Sequence, residues 1–365
     1  MASSGHGGNA KEICRENKLE YDKILDFSAN INPLGMPISV RNAIINGLSE
    51  VEKYPDISYF ELKSGISEFE NINSKDIILG NGAAEVLFNV VKGINPKNTL
   101  ILAPTFSEYE EATRAIDGNI KYYKLIEENN FYIQEDFLEY ISSDLDLIFI
   151  CNPNNPTGVV TQKDLLRKIV LKAKENNVMV LIDESFLDFI EEDISMIPYV
   201  NEYENLIVIK SLTKFFALPG LRIGYGISSN ESLKGKIKKL SPAWNINILA
   251  EIATKVGIKD ENYIRESLKF IKDEKEYLFN ELRQIKEIKV FEPSVNFILL
   301  KTLINIDLKN ELLKDNILIR SCSNYEGLNN NYYRIAVRTH KENCIIIKNI
   351  RNIFEQYKNE GFELK

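Results

Sequence analysis

Four short, mostly apolar runs constrain this chain most: Thr99 to Ala103, Leu145 to Cys151, Val178 to Ile182 and Leu206 to Ile209. Amphipathic stretches separate them. In Asp164 to Asn176, for example, Leu165, Ile169 and Ala173 recur at a spacing of four, as on one face of a helix. Strands that are apolar on both sides need cover on both faces. Intervening helices supply that cover and return the chain to begin the next strand in the same direction. The expected class is therefore α/β, with a mostly parallel sheet between helices. In such sheets ligands sit beyond the carboxyl ends of the strands, so the strand ends are where chemistry is sought first.

At 365 residues the chain exceeds what a single core usually serves. After about residue 245 the pattern changes to long charged helical stretches, from Ile248 to Ile285. These are followed by strand candidates Asn296 to Leu300, Ile317 to Arg320 and Tyr333 to Val337, and by a last helix over Lys341 to Tyr357. The expected division is 1–50 as an N-terminal arm and part of a small domain, 51–245 as a large ligand-binding domain, and 246–365 as a small α+β domain. A net charge of −8 argues against a nucleic-acid partner, and it means that any anion must be met by locally gathered Arg and Lys. The four cysteines are scattered and fit reduced thiols; with only His6 and His340 as histidines, no metal site is expected. No apolar run reaches the ~18 residues of a membrane span, and Met1 to Asn9 has no apolar signal region, so a cytoplasmic protein without a membrane partner is expected.

Four features fall at the predicted strand ends. Gly80-Asn81-Gly82-Ala83-Ala84-Glu85 opens a helix, whose free N–H groups and dipole suit a phosphate, although a plain turn would look the same. Asn152-Pro153-Asn154-Asn155-Pro156-Thr157-Gly158 is a rigid turn able to hold an amide against a ligand oxygen. Asp183 closes an apolar strand, where a carboxylate needs a cation or a donor; it is either a turn cap or the partner of a protonated ring nitrogen. Ser211-Leu212-Thr213-Lys214 is followed by Phe215 and Phe216 and then by Arg222. A lone lysine is usually a solvated charge, but desolvation among these aromatics would make Lys214 a Schiff-base amine. Ser211, Thr213 and Arg222 together suit a phosphate dianion.

The set N-P-x-N-P-T-G, D-E, S-x-x-K and R-x-G-Y, in that order and with Lys214 and Arg222 eight apart, resembles the fold-type I pyridoxal 5'-phosphate (PLP) enzymes of the aspartate aminotransferase superfamily over nearly the whole chain. The resemblance implies Lys214 as the Schiff-base lysine and Asp183 on the pyridinium nitrogen. It implies Asn155 on the ring O3' oxygen. Gly82, Ala83, Ala84, Glu85, Ser211, Thr213 and Arg222 would lie around the phosphate. Tyr54 resembles the tyrosine that reaches the neighbouring subunit's cofactor, which implies a homodimer with shared sites. One departure is Phe186, where many members carry a tyrosine that bonds O3'.

Two branches of that superfamily fit, both acting on phosphorylated amines: one transaminates histidinol phosphate, the other decarboxylates L-threonine O-3-phosphate for the cobalamin side chain. His6-Gly7-Gly8-Asn9, the Leu25 to Gly35 segment with Asn30, Phe186, Arg320-Ser321-Cys322 and Tyr333 to Arg338 resemble the decarboxylase. By that resemblance Arg334 pairs with the α-carboxylate, Arg320 and His6 hold the substrate phosphate, and Asn30 and Asn155 line the substrate. From composition alone His6 would be an arm residue; Arg338 shares the strand face of Arg334 if the strand continues that far, and is either a further contact or a surface charge. L-serine phosphate is a further candidate substrate, because one methyl group gives only ~1–3 kcal/mol of discrimination. A non-catalytic PLP-binding module is disfavoured by Lys214 and by the lack of a basic helix-turn-helix pattern.

Overall fold

A computed structural model describes residues 7–359. The helix Ala10–Asn17 leads to a short strand, β1 (Leu25–Asp26). The central sheet holds seven strands: β2 (Ile77–Gly80), β3 (Asn98–Ala103), β4 (Asn119–Lys124), β5 (Leu147–Cys151), β6 (Met179–Asp183), β7 (Leu206–Ser211) and β8 (Gly224–Ile227). Their order across the sheet is β2-β8-β7-β6-β5-β3-β4. Strands β3 to β7 are mutually parallel, whereas β8 runs antiparallel to both neighbours, β7 and β2. The reversal follows from the connection between β7 and β8. Its only helix is the single turn Leu212–Phe215, too short to carry the chain back across the sheet for a parallel return.

Every residue of β5 and β7 is buried, as apolar strands between two helical layers must be. The helix Ala83–Ile94 buries Val86, Leu87, Val90 and Val91, and Lys163–Glu175 buries Leu166, Ile169, Val170 and Ala173. Of the spacing-of-four row read in the sequence, Ile169 and Ala173 are buried, while Leu165 is only half-buried and Leu166 and Val170 complete the stripe. Each fully buried aliphatic side chain contributes about 1.5–3 kcal/mol.

The remaining strands are β9 (Ile288–Val290), β10 (Phe297–Thr302), β11 (Ile317–Leu318), β12 (Arg320–Ser321) and β13 (Tyr332–Ala336). Four of them form an antiparallel sheet in the order β12-β13-β10-β9, and β11 pairs in parallel with β1. The single strand expected over Ile317 to Arg320 is thus two short strands in different sheets. Helices Ile248–Gly257, Glu261–Leu282, Leu308–Lys314 and His340–Asn359 complete this part. The first two are interrupted where Asp260 caps the second, its Oδ1 accepting from the Tyr263 amide at 3.0 Å. The N-terminal helix lays Ala10 and Ile13 against Leu313 and Leu318. No helix among the described residues is long and apolar enough to cross a membrane.

Candidate active site

The carboxyl ends of β5, β6 and β7 and the segment after β2 converge on a cavity of about 520 Å³. Ala83, Ala84, Asn155, Asp183, Ser211, Thr213, Lys214, Arg222, Asn30 and Arg334 all line it. Lys214 stands in the single helical turn set directly on the end of β7, and its backbone carbonyl accepts from the Asn32 amide at 3.0 Å. Its ammonium nitrogen lies 4.9 Å from the centre of the Phe186 ring. Burial pushes the Lys214 pKa below the usual lysine range. Arg222 and Arg334 push the same way, against Asp183 and Cys151.

Asp183 is buried at the end of β6 and satisfied on both oxygens. Tyr109 Oη donates to Oδ2 at 2.7 Å, and the Ser185 amide donates to Oδ1 at 2.9 Å. Tyr109 is itself fully buried, stacked on Phe149 with ring centres 5.0 Å apart, and burial beside Asp183 raises its pKa well above the ordinary value. At the other side of the cavity the Ser211 and Thr213 hydroxyls lie 2.8 Å apart. Gly82 has φ of 90°, and a Cβ there would come within 2.7 Å of Arg222 Nη2; one on Gly224 would come within 2.4 Å of the Ala83 amide nitrogen. Two glycines therefore keep clear a cradle made by the helix start at Ala83, two hydroxyls and one guanidinium.

Arg334 is 5% exposed. Its Nη2 donates to the Ser28 carbonyl at 2.8 Å and its Nη1 to Asn155 Oδ1. The Asn30 amide, turned with its oxygen inward, accepts from Nη1 and Nε at 3.2 and 3.3 Å. Tyr325 Oη reaches Asn155 Oδ1 at 3.4 Å. All these acceptors are neutral, so a buried cation faces the cavity without a carboxylate bonded to it among the described residues.

Other residues singled out in the sequence lie elsewhere. Glu85 turns away from the cavity, its Oε2 accepting from the Asn81 amide at 2.6 Å and from Asn245 Nδ2 at 2.8 Å. Tyr54 is 81% exposed and lies against Trp244, with ring centres 4.7 Å apart. Arg320 is the register partner of Arg334 across β12 and β13, yet it lines a second cavity of about 500 Å³ together with Asn9, Ser28 and Asn324. Arg338 lies beyond the end of β13, bound to Glu342 at 2.8 Å and to the Asp26 carbonyl at 3.1 Å, and it does not line the central cavity. His6 lies outside the described residues. Sequence reasoning passed over Phe106, which lines the cavity, Tyr109 and Tyr325, and took Ser28 only as part of the Leu25 to Gly35 segment. The first two follow β3, and the same search of strand ends would have reached them.

The class is defined at this point: the chain belongs to the aminotransferase class I and II family, whose pattern matches residues 22–350. Its fold is that of the fold-type I enzymes, with a mixed, mostly parallel central sheet. Among particular relatives, the threonine-phosphate decarboxylase of Salmonella typhimurium is 36% identical, over 97% of each chain. The adenosylcobalamin biosynthesis bifunctional protein CobDQ of Leptospira interrogans is 39% identical over 96% of this chain, which spans 41% of that protein. A crystal structure described as the histidinol-phosphate aminotransferase of Clostridium acetobutylicum superposes with a TM-score of 0.87 at 35% identity, covering 91% of this chain and all of that one.

Proposed function

We propose that this chain is a PLP-dependent decarboxylase that converts L-threonine O-3-phosphate to (R)-1-amino-2-propanol O-2-phosphate and carbon dioxide, supplying the linker of the cobalamin nucleotide loop. The observation that carries the reading is Arg334, a buried cation whose acceptors among the described residues are all neutral, facing the cavity that also holds Lys214. A buried guanidinium is costly unless an anion completes it, and a substrate carboxylate would do so. The cobalamin and threonine-phosphate relatives support the same substrate.

The residues present fit PLP. The cradle of Ala83, Ser211, Thr213 and Arg222, cleared by Gly82 and Gly224, suits its phosphate, and the doubly bonded Asp183 carboxylate suits a protonated ring nitrogen. Lys214, with its depressed pKa, would carry it. When bound, PLP supplies a sink for the electron pair left by a bond broken at the substrate Cα. The protein decides which bond that is. Arg334, fixed by Ser28, Asn30 and Asn155, would hold the substrate carboxylate in the orientation that makes its bond to Cα the one to break. Lys214 would return a proton to Cα. A salt bridge to a leaving carboxylate also stabilises the ground state, so orientation has to outweigh that cost. Tyr54 and the exposed apolar side chains Ile38, Ile45, Val51, Ile57 and Phe60 support a homodimer with shared sites. We assign the division at residues 50 and 245, and a cytoplasmic location, to the same reading.

The test is to incubate pure protein and PLP with L-threonine O-3-phosphate. Carbon dioxide released without an oxo-acid acceptor is the expected result. Glutamate formed from histidinol phosphate and 2-oxoglutarate, with no carbon dioxide, would establish the second reading, transamination, which the Clostridium structure favours. Faster turnover of L-serine O-phosphate would reassign the substrate within the decarboxylase reading.

A further inference from the structure

Gly7 and Gly8 occupy positions that other residues fill only with strain. A Cβ on Gly7 would lie 2.2 Å from the Ser28 carbonyl oxygen and 3.1 Å from Arg334 Nη2. Gly8 has φ of 84°, and its amide donates to Ser28 Oγ at 3.1 Å. The same Ser28 carbonyl accepts from Arg334 at 2.8 Å, and Ser28 Oγ donates to Asp26 Oδ1 at 2.6 Å. The N-terminal arm and the buried guanidinium thus bear on one peptide from two sides.

That peptide also has a place between cavities. Ser28 lines both: Gly7 and Gly8 line the one containing Lys214 and Arg334, and Asn9 lines the one containing Arg320. Arg320 and Arg334 are register partners, so their Cα atoms lie side by side in the sheet, yet they open on different spaces. The partition between them is Ser28 with the arm seated on it. The arm is held in turn by its helix, whose Ala10 and Ile13 pack on Leu313 and Leu318.

We infer that the Gly7-Gly8 step is a specificity-determining element: by seating the arm on Ser28 it fixes Arg334 and sets how far the carboxylate-binding cation stands from the next anion-binding space. The inference rests on the decarboxylase reading for its substrate. A side chain at residue 7 would push the arm off Ser28 or push Ser28 toward Arg334. Either shift misplaces a contact to a short, doubly anionic substrate, whereas the Lys214 end of the cavity is untouched.

The experiment compares wild type with Gly7→Ala, loaded with PLP, on L-threonine O-3-phosphate. The variant should take up PLP as wild type does, while kcat/KM falls about tenfold or more with part of the loss in kcat, as expected when the group that orients the carboxylate is misplaced. Ser28→Ala, which removes the Gly8 acceptor but keeps the carbonyl under Arg334, should lower kcat/KM the same way by less. An unchanged kcat/KM in Gly7→Ala overturns the inference. If Gly7→Ala fails to take up PLP, Ser28→Ala decides: a lowered kcat/KM with normal PLP uptake supports the inference, and wild-type kinetics overturn it. A wild-type protein that releases no carbon dioxide would instead remove the decarboxylase reading itself.

Discussion

Lys214 and Phe186 are best understood as a pair. Burial and two neighbouring guanidinium groups make the Lys214 amine give up its proton more readily than a surface lysine, while the Phe186 face beneath it favours the charged form. Lys214→Ala should therefore abolish borohydride trapping of PLP and lower turnover at least about a thousandfold, as loss of a covalent centre does; retained trapping would place the attachment elsewhere. Phe186→Tyr should lower the midpoint of the pH-dependent visible absorbance of the loaded protein by about one unit, because a phenol can donate to an anionic ring oxygen and favours the deprotonated form. Much of this site was legible because its chemistry is local to strand ends: Asn155, Asp183 and Lys214 each follow a recognisable apolar run. Tyr109 also follows an apolar run, but its role was not legible there, because it lies in one contact with Asp183 that joins residues 74 apart in sequence. The separate spaces of Arg320 and Arg334 were equally hidden, since they depend on where Ser28 and the arm lie.

Among elements, the strand-to-helix turn at Gly82 and the loop after β6 control geometry. Gly82→Ala faces a positive φ and a 2.7 Å approach to Arg222 Nη2, so the fold should persist while PLP affinity falls about tenfold or more, read by titration of the apoprotein. Beneath the sheet, Glu184 is fully buried, accepting from the Met196 amide at 2.7 Å and from Ser195 Oγ at 2.7 Å. Burial raises its pKa to about 7, offset in part by Lys210. A carboxyl raised on folding binds its proton more tightly in the native state, so its stabilising contribution is full below the unfolded value and is lost as pH climbs toward 7. Glu184→Gln should flatten that decline, by on the order of 1–3 kcal/mol in denaturant unfolding between pH 4.5 and 8; an unchanged slope would show that Glu184 stays ionised. Of the strands, β3, β5, β6 and β7 were readable as apolar runs. The edge strand β4 alternates exposed and covered residues, and β8 carries glycines at Gly224 and Gly226, so neither announces itself by hydropathy. Their places come from pairing rather than from local pattern.

For the molecule as a whole, the exposed side chains of Ile38, Ile45, Val51, Tyr54, Ile57 and Phe60 are concentrated in one stretch of chain. A homodimer burying them should sediment at twice the chain mass, and the double change Val51→Asp, Tyr54→Asp should shift it to monomer and lower PLP affinity together. A shift to monomer with PLP affinity intact would deny a shared site. The parallel pairing of β1 with β11 has a different consequence, one that concerns synthesis. Leu25 leaves the ribosome long before its partner Ile317 exists. At 5–20 residues per second, the roughly 290 intervening residues take about 15–60 s to make. Through that interval the nascent N-terminal segment has no strand to join. The seven-stranded sheet, complete by Ile227, can form in the meantime. On the proposed reading, catalytic competence therefore arrives late, after Arg334 has emerged, and the beginning of this chain stays unpaired until its end is made.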